Sequence, residues 1–117
     1  MSEVETNLAL DHSQENGVLV IKVKGRLDSH GSPTAQAAFV EAVQKHPKVL
    51  VDCSQTTLLS SGGLRAIIIA HRTAREHGSK FAVWIDTPAV METVQVSAID
   101  KVVPIITTRL DALARLD

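Results

Sequence analysis

Val49-Leu50-Val51-Asp52, followed closely by Thr56-Thr57-Leu58-Leu59-Ser60-Ser61-Gly62-Gly63-Leu64-Arg65, is the stretch whose reading decides the fold. Three consecutive apolar residues closed by an aspartate read as a short strand buried on both faces, as a central strand is in a sheet covered by helices. Beyond Ser61 the apolar residues Leu64, Ile67, Ala70 and Ala74 recur at three- and four-residue intervals. That period predicts a helix over residues 62–76, closed by Gly78. The segment between strand and helix lies outside the carboxyl end of a sheet strand, where α/β folds keep ligands and contacts.

Working upstream, Ser32-Pro33 reads as a helix start, with serine as the cap and proline at the first helical position. Ala35, Phe39 and Val43 give that helix its buried stripe, and Pro47 stops it. Earlier still, Leu8-Ala9-Leu10 and residues 18–23 read as two antiparallel strands joined through Asn16-Gly17, a pair suited to the positive φ of a tight hairpin. Leu19, Ile21 and Val23 share one face of the second strand, Val20 and Lys22 the other, and Gly25 is read as its end.

Downstream, Phe81, Val83 and Ile85 alternate as a strand, and Thr87-Pro88 opens a helix carrying Val90, Met91 and Val94. Residues 102–106 read as a last short strand and 108–116 as a closing helix. The result is an α/β fold: a single domain over residues 1–117, with a mixed central sheet of about five strands and four helices. Residues 1–6 are expected to be flexible.

Length and composition agree. The chain has 117 residues, 44% of them hydrophobic, enough for one compact core. Twelve basic residues against thirteen acidic ones leave a formal charge of −1, so neither nucleic acid nor an anionic membrane is favoured as a partner. The first eleven residues carry two glutamates and no basic apolar leader, and no apolar run reaches the ~20 residues of a membrane span. A cytoplasmic protein is expected. Cys53 is the only cysteine, which excludes an intramolecular disulfide and a thiolate metal cluster, and it reads as a core residue.

From spacing alone Ser61 has two readings. It is either the helix N-cap, with Gly62 and Gly63 allowing helix and sheet to approach, or a hydroxyl placed for modification or binding beside unpaired backbone amides. A nucleotide-cradling loop is disfavoured, because the stretch lacks the lysine and the glycine spacing of a P-loop. Steps of about 100° along the helix place Arg65, Ile69, Arg72 and Glu76 on the side of Ser61, which makes Ile69 a candidate partner anchor among charged neighbours.

Enzymatic readings find little support. The five histidines, His12, His30, His46, His71 and His77, form no recognisable metal-ligand motif, so no metal or other cofactor is expected. Ser61 is not set in a Gly-x-Ser-x-Gly elbow, so a serine hydrolase is disfavoured. Asp52 closes a strand and reads as structural, as does the single tryptophan, Trp84, in its strand.

In order and spacing these motifs resemble the STAS domain family, and within it the bacterial anti-sigma factor antagonists. Gly25-Arg26-Leu27-Asp28 resembles the family's Gly-x-Leu-Asp, residues 49–52 its central strand, and Ser60-Ser61-Gly62-Gly63-Leu64-Arg65 its switch loop. Thr87-Pro88-Ala89-Val90 and Ile99-Asp100-Lys101-Val102 fall in matching places. Here Ser60 stands where the family usually has aspartate, Gly62 where it has serine, threonine or alanine, and Arg65 where glycine is common.

The resemblance implies that Ser61 accepts phosphate, with Ser60 as the alternative, from an anti-sigma factor that is also a serine kinase. A metal-dependent serine phosphatase reverses the step, and the unphosphorylated form binds the anti-sigma factor and frees sigma. It implies no enzymatic activity, and it puts Ser60, Gly62 and Asp28 at the partner surface, to which the helical wheel adds Arg65, Ile69 and Arg72. The alternative within the same family is a structural STAS subunit of a lipid-transport ABC system.

Overall fold

The computed structural model of the chain describes residues 8–117; the flexibility expected of residues 1–6 lies outside the described residues. β1 (Leu8–Glu15) and β2 (Val18–Leu27) form an antiparallel hairpin with Glu15 opposite Val18. Asn16 and Gly17 turn it with φ of 53° and 81°, the paired positive values that match the twist of the strands. β1 runs well past its apolar triplet, because the exposed residues after Leu10 still pair through their backbone.

β2 does not end at Gly25. Gly25 takes a φ of 94°, and the register shifts between Gly25 and Arg26. This bulge lets one strand serve two parallel partners: residues 19–22 pair with β3 (Lys48–Asp52), and residues 25–27 with β4 (Thr56–Leu59). β4 was hidden in the sequence inside the segment read as a connection, since four residues are too few to show a period. Thr56 fixes its start by donating its hydroxyl to the Val23 carbonyl at 2.9 Å.

β5 (Lys80–Trp84) lies parallel to β3, and β6 (Ile105–Ile106) parallel to β5, giving the order β1-β2-β3-β5-β6 with β4 on the end of β2. The alternation read in β2 decides what covers each face. Leu19, Ile21, Val23, Val49, Val51 and Val83 point into one core with α1 (Ser32–Lys45), α2 (Ser61–His77) and α3 (Pro88–Ser97). Val18, Val20, Leu50 and Ala82 point the other way, against Ala112 of α4 (Arg109–Arg115) and Leu116. Phe39, Ile21 and Ile67 are fully buried, each stabilising the fold by about 1.5–3 kcal/mol relative to exposure.

Two local expectations are corrected, and one of the two readings of Ser61 is settled. Ser32 is not the cap of α1: Gly31 occupies that position without a side-chain cap, Ser32 is buried in the first turn, and its hydroxyl donates to the Ser29 carbonyl at 3.4 Å. Residues 102–106 are not all strand. Ile99–Lys101 make a 3-10 turn, and pairing begins only at Pro104, which has no N–H but accepts from Val83 N at 3.0 Å. Ser61, finally, does not cap α2. Among the described residues no helix is long and apolar enough to cross a membrane.

Candidate functional site

The start of α2 is built by Ser60. Its backbone N–H bonds the Leu27 carbonyl at 2.9 Å, which ties the helix start to the end of β2. Its φ of −85° and ψ of 174° are those of an N-cap, and its Oγ accepts the Gly63 N–H at 3.2 Å. Serine is a strong N-cap, as aspartate would be at the same position. With Ser60 committed to that bond, Ser61 begins the helix and is exposed.

The two glycines fix how close this turn comes to the rest of the fold. A Cβ on Gly63 would lie 2.8 Å from Leu27 Cγ, 2.8 Å from Leu59 Cδ1 and 2.9 Å from the Leu27 carbonyl, so only glycine fits. A Cβ on Gly62 would lie 2.7 Å from Ser32 Oγ. The helix start is thereby set against the turn after β2. In that turn Asp28 Oδ1 accepts the Gly31 N–H at 2.9 Å and the His30 N–H at 3.1 Å. The Gly31 N–H, foremost, holds the Asp28 carboxyl below the ordinary aspartate range; partial desolvation opposes it, and the His30 N–H and the charge of Arg26 add to it.

Ser60, Ser61 and Gly62 thus share one corner of the molecule with the Asp28 turn. Arg65 is exposed one turn further on and lines a cleft against α1 with Gly62, Ser32 and Val40. Ser61 lines a different groove on the other flank of α2, with Leu64, Glu92, Thr93 and Val96. Arg72 is not brought to the corner: it lies roughly 16 Å along the helix, in a cleft with Ile68 and Val102. Ile69, the candidate partner anchor of the helical wheel, is half-buried.

The exposed apolar residue beside Ser61 is instead Val96, 83% accessible, near the end of α3. Sequence reasoning passed over it. The available signal was a valine lying off the buried stripe of Val90 and Val94, but nothing local ties α3 to Ser61. Asp52 accepts from the Ser54 N–H and hydroxyl at 2.9 and 2.6 Å, a strand-end cap. Among the described residues no three His, Cys, Asp or Glu gather as a metal site would require.

A mixed sheet with three helices on one face, and a capped serine-glycine turn displaying a hydroxyl at the start of α2, define a STAS-type domain. The sequence profile of the family described as "Mlab, STAS domain" matches residues 10–107, and the chain belongs to that family. It is similar to the anti-sigma F factor antagonist of Paenibacillus polymyxa, with 26% identity over 113 residues, covering 95% of this chain and 97% of that protein. Its fold is that of an anti-sigma factor antagonist from Mycobacterium paratuberculosis, with a TM-score of 0.86, 24% identity, and coverage of 99% of this chain and 98% of that one. An anti-sigma-factor antagonist (STAS) domain protein from Planctomyces limnophilus gives a TM-score of 0.79 at 25% identity, covering 92% and 98%.

Proposed function

We propose that this chain is an anti-sigma factor antagonist, a cytoplasmic binding module without enzymatic activity, switched by phosphorylation of Ser61. Its unphosphorylated form binds a kinase-type anti-sigma factor and releases sigma, and a metal-dependent serine phosphatase restores that form. The observation that carries the proposal is the division of labour between two adjacent serines: Ser60 caps the helix, and Ser61 stands exposed at its first position. The naming of its relatives as antagonists supports the same function.

A phosphate on Ser61 adds ~1.5–2 negative charges at a helix N-terminus, where the dipole favours an anion by ~0.3–1 kcal/mol. The fold therefore tolerates the modification, and Arg65, one turn on, is within pairing distance in sequence. The switch acts on binding. A charge buried without a partner at an interface costs ~2–5 kcal/mol, which corresponds to roughly 30-fold to several-thousand-fold weaker association.

The test is a pull-down with mass spectrometry in which phosphopeptides covering Ser60 and Ser61 are mapped, paired with binding by Ser61→Asp and Ser61→Ala. Capture of a kinase-type anti-sigma factor, and loss of binding in Ser61→Asp alone, are expected. A Ser61→Asp variant binding as tightly as wild type sinks the charge switch, and phosphate retained in Ser61→Ala moves the acceptor to Ser60. Capture of a permease and an ATPase instead assigns the chain to a lipid-transport ABC system.

A further inference from the structure

Roughly 15 Å along α2 from Ser61, two neighbouring clefts of about 450 and 320 Å³ share His71 and Val102. The first is lined from α2 by Ile68, Arg72, Arg75 and Glu76; the second by Asp100 and Lys101 of the 3-10 turn, the segment leading into β6, and Arg115 of α4. Four cations from three separate elements thus line two clefts that share one histidine, against two carboxylates. Among the described residues none of the four makes an ion pair, whereas Lys24, Arg26, Lys45 and Arg109 each do.

His71 adds an independent observation. Its Nδ1 is buried without a hydrogen-bond partner, and its ring lies against Phe81 with centroids 6.2 Å apart. That nitrogen is shielded from solvent, so a ligand in the clefts would be held by the cations around them and not by it. Unpaired cations converging from several elements, in clefts of the size that holds small ligands, suit an anion with several oxygens.

We propose that the clefts meeting at His71 form a binding site for a small phosphate-bearing anion, held by Arg72, Arg75, Lys101 and Arg115. The site is independent of the Ser61 switch and stands whether or not Ser61 is phosphorylated. Burial, and then the charge of Arg75, hold His71 below the ordinary histidine range. A bound anion offsets the charge of Arg75 and favours the imidazolium, so His71 gains basicity on binding, and binding strengthens as pH falls towards that range. The groups facing it are Arg75, Arg72 and Glu76 from α2, Asp100 and Lys101 from the 3-10 turn, and Arg115 from α4.

The experiment titrates the full chain with inorganic phosphate, and separately with phosphatidylglycerol vesicles, while the imidazole resonances of His71 and the side-chain N–H resonances of the arginines are followed by NMR. A saturable shift at His71, Arg72 and Arg75 is expected, with a raised His71 pKa in the bound state. Arg75→Gln and Lys101→Gln, on different elements, each weaken it about tenfold, and Lys45→Gln on α1 leaves it unchanged. Response to free phosphate identifies a soluble ligand, and response to vesicles alone a lipid headgroup. An equal response to chloride at matched ionic strength, a response only to an acidic polypeptide such as polyglutamate, or no saturable response to either probe overturns the proposal.

Discussion

Ser60 and Gly63 are joined across the first turn of α2, the serine hydroxyl oxygen accepting the glycine N–H at 3.2 Å. The bond satisfies one of the helix's free amides and, by occupying Ser60, leaves the next hydroxyl displayed. Ser60→Ala should therefore lower stability by ~0.5–2 kcal/mol, while Ser60→Asp should restore it, because either oxygen serves as a cap. Urea denaturation reads this directly: the midpoint falls at unchanged slope for alanine only. Equal midpoints for Ser60→Ala and wild type would show that the cap contributes nothing.

Gly62 and Gly63 are adjacent but not equivalent. A methyl on Gly63 meets the Leu27 backbone carbonyl and two leucine side chains, so Gly63→Ala should cost ~1–3 kcal/mol through forced separation of α2 from the sheet. At Gly62 the nearest atom is the Ser32 hydroxyl, which can turn aside, and alanine recovers ~1 kcal/mol of helix propensity. Gly62→Ala should thus lie near wild type in thermal melting, and an ordering of the two variants the other way round contradicts the packing described.

The contrast between these glycines marks where sequence reading stops. Periodicity was enough for the body of β2, α1 and α2, and an unbroken apolar run for β3, since Leu19, Ile21 and Val23 or Leu64, Ile67 and Ala70 report burial through spacing alone. It was not enough for β4 or for the bulge at Gly25, because β4 pairs with residues 31 or 32 positions earlier and has no pattern of its own. The same holds at the site. The serines and glycines stood out, but which serine caps depended on one ψ angle, and Val96 was joined to Ser61 only by the groove that the two line together. Arg72 and Ile69 failed as neighbours of Ser61 because a helical wheel shows direction but hides distance along the axis and the helix packed alongside.

Asp28 gives a pH signature. Its carboxylate is held below the ordinary aspartate value of ~3.9, so its contribution to folding is complete above that value and is lost as pH falls through the lower folded-state value. Asp28→Asn keeps an acceptor oxygen for Gly31 and His30 but removes the charge. Wild type should be the more stable of the two at about pH 6, with the gap closing below about pH 4. A gap that stays constant through that window assigns no role to the charge.

Cys53 should be chemically silent in the native protein. It is fully buried, and desolvation, aided by the charge of Asp52 and opposed by a hydrogen bond involving Thr56, pushes its thiol up to about 12. At about pH 8 the thiolate fraction is on the order of 10⁻⁴, and no reagent reaches it without opening of the core. Iodoacetamide labelling should therefore be negligible in buffer and rise with urea along the unfolding curve. Prompt labelling of folded protein would show a core looser than the packing around β3 implies.

Val96 provides the sharpest test of the surface beside Ser61. An exposed valine in a groove with Leu64 and Ser61 has little to do for the fold, so Val96→Asp should leave stability within about 0.5 kcal/mol of wild type. If the groove receives the anti-sigma factor, the same change puts a charge into an apolar contact beside Glu92 and should weaken binding about tenfold or more. Ile69→Asp differs in kind: its side chain is half-buried, so it should lower stability as well as any affinity. Binding and denaturation measured on both variants separate the cases, because a contact residue moves only the first quantity and a packing residue moves the second. Unaltered affinity in Val96→Asp would direct the partner to the α1 flank of α2, where Arg65 and Gly62 line the other cleft.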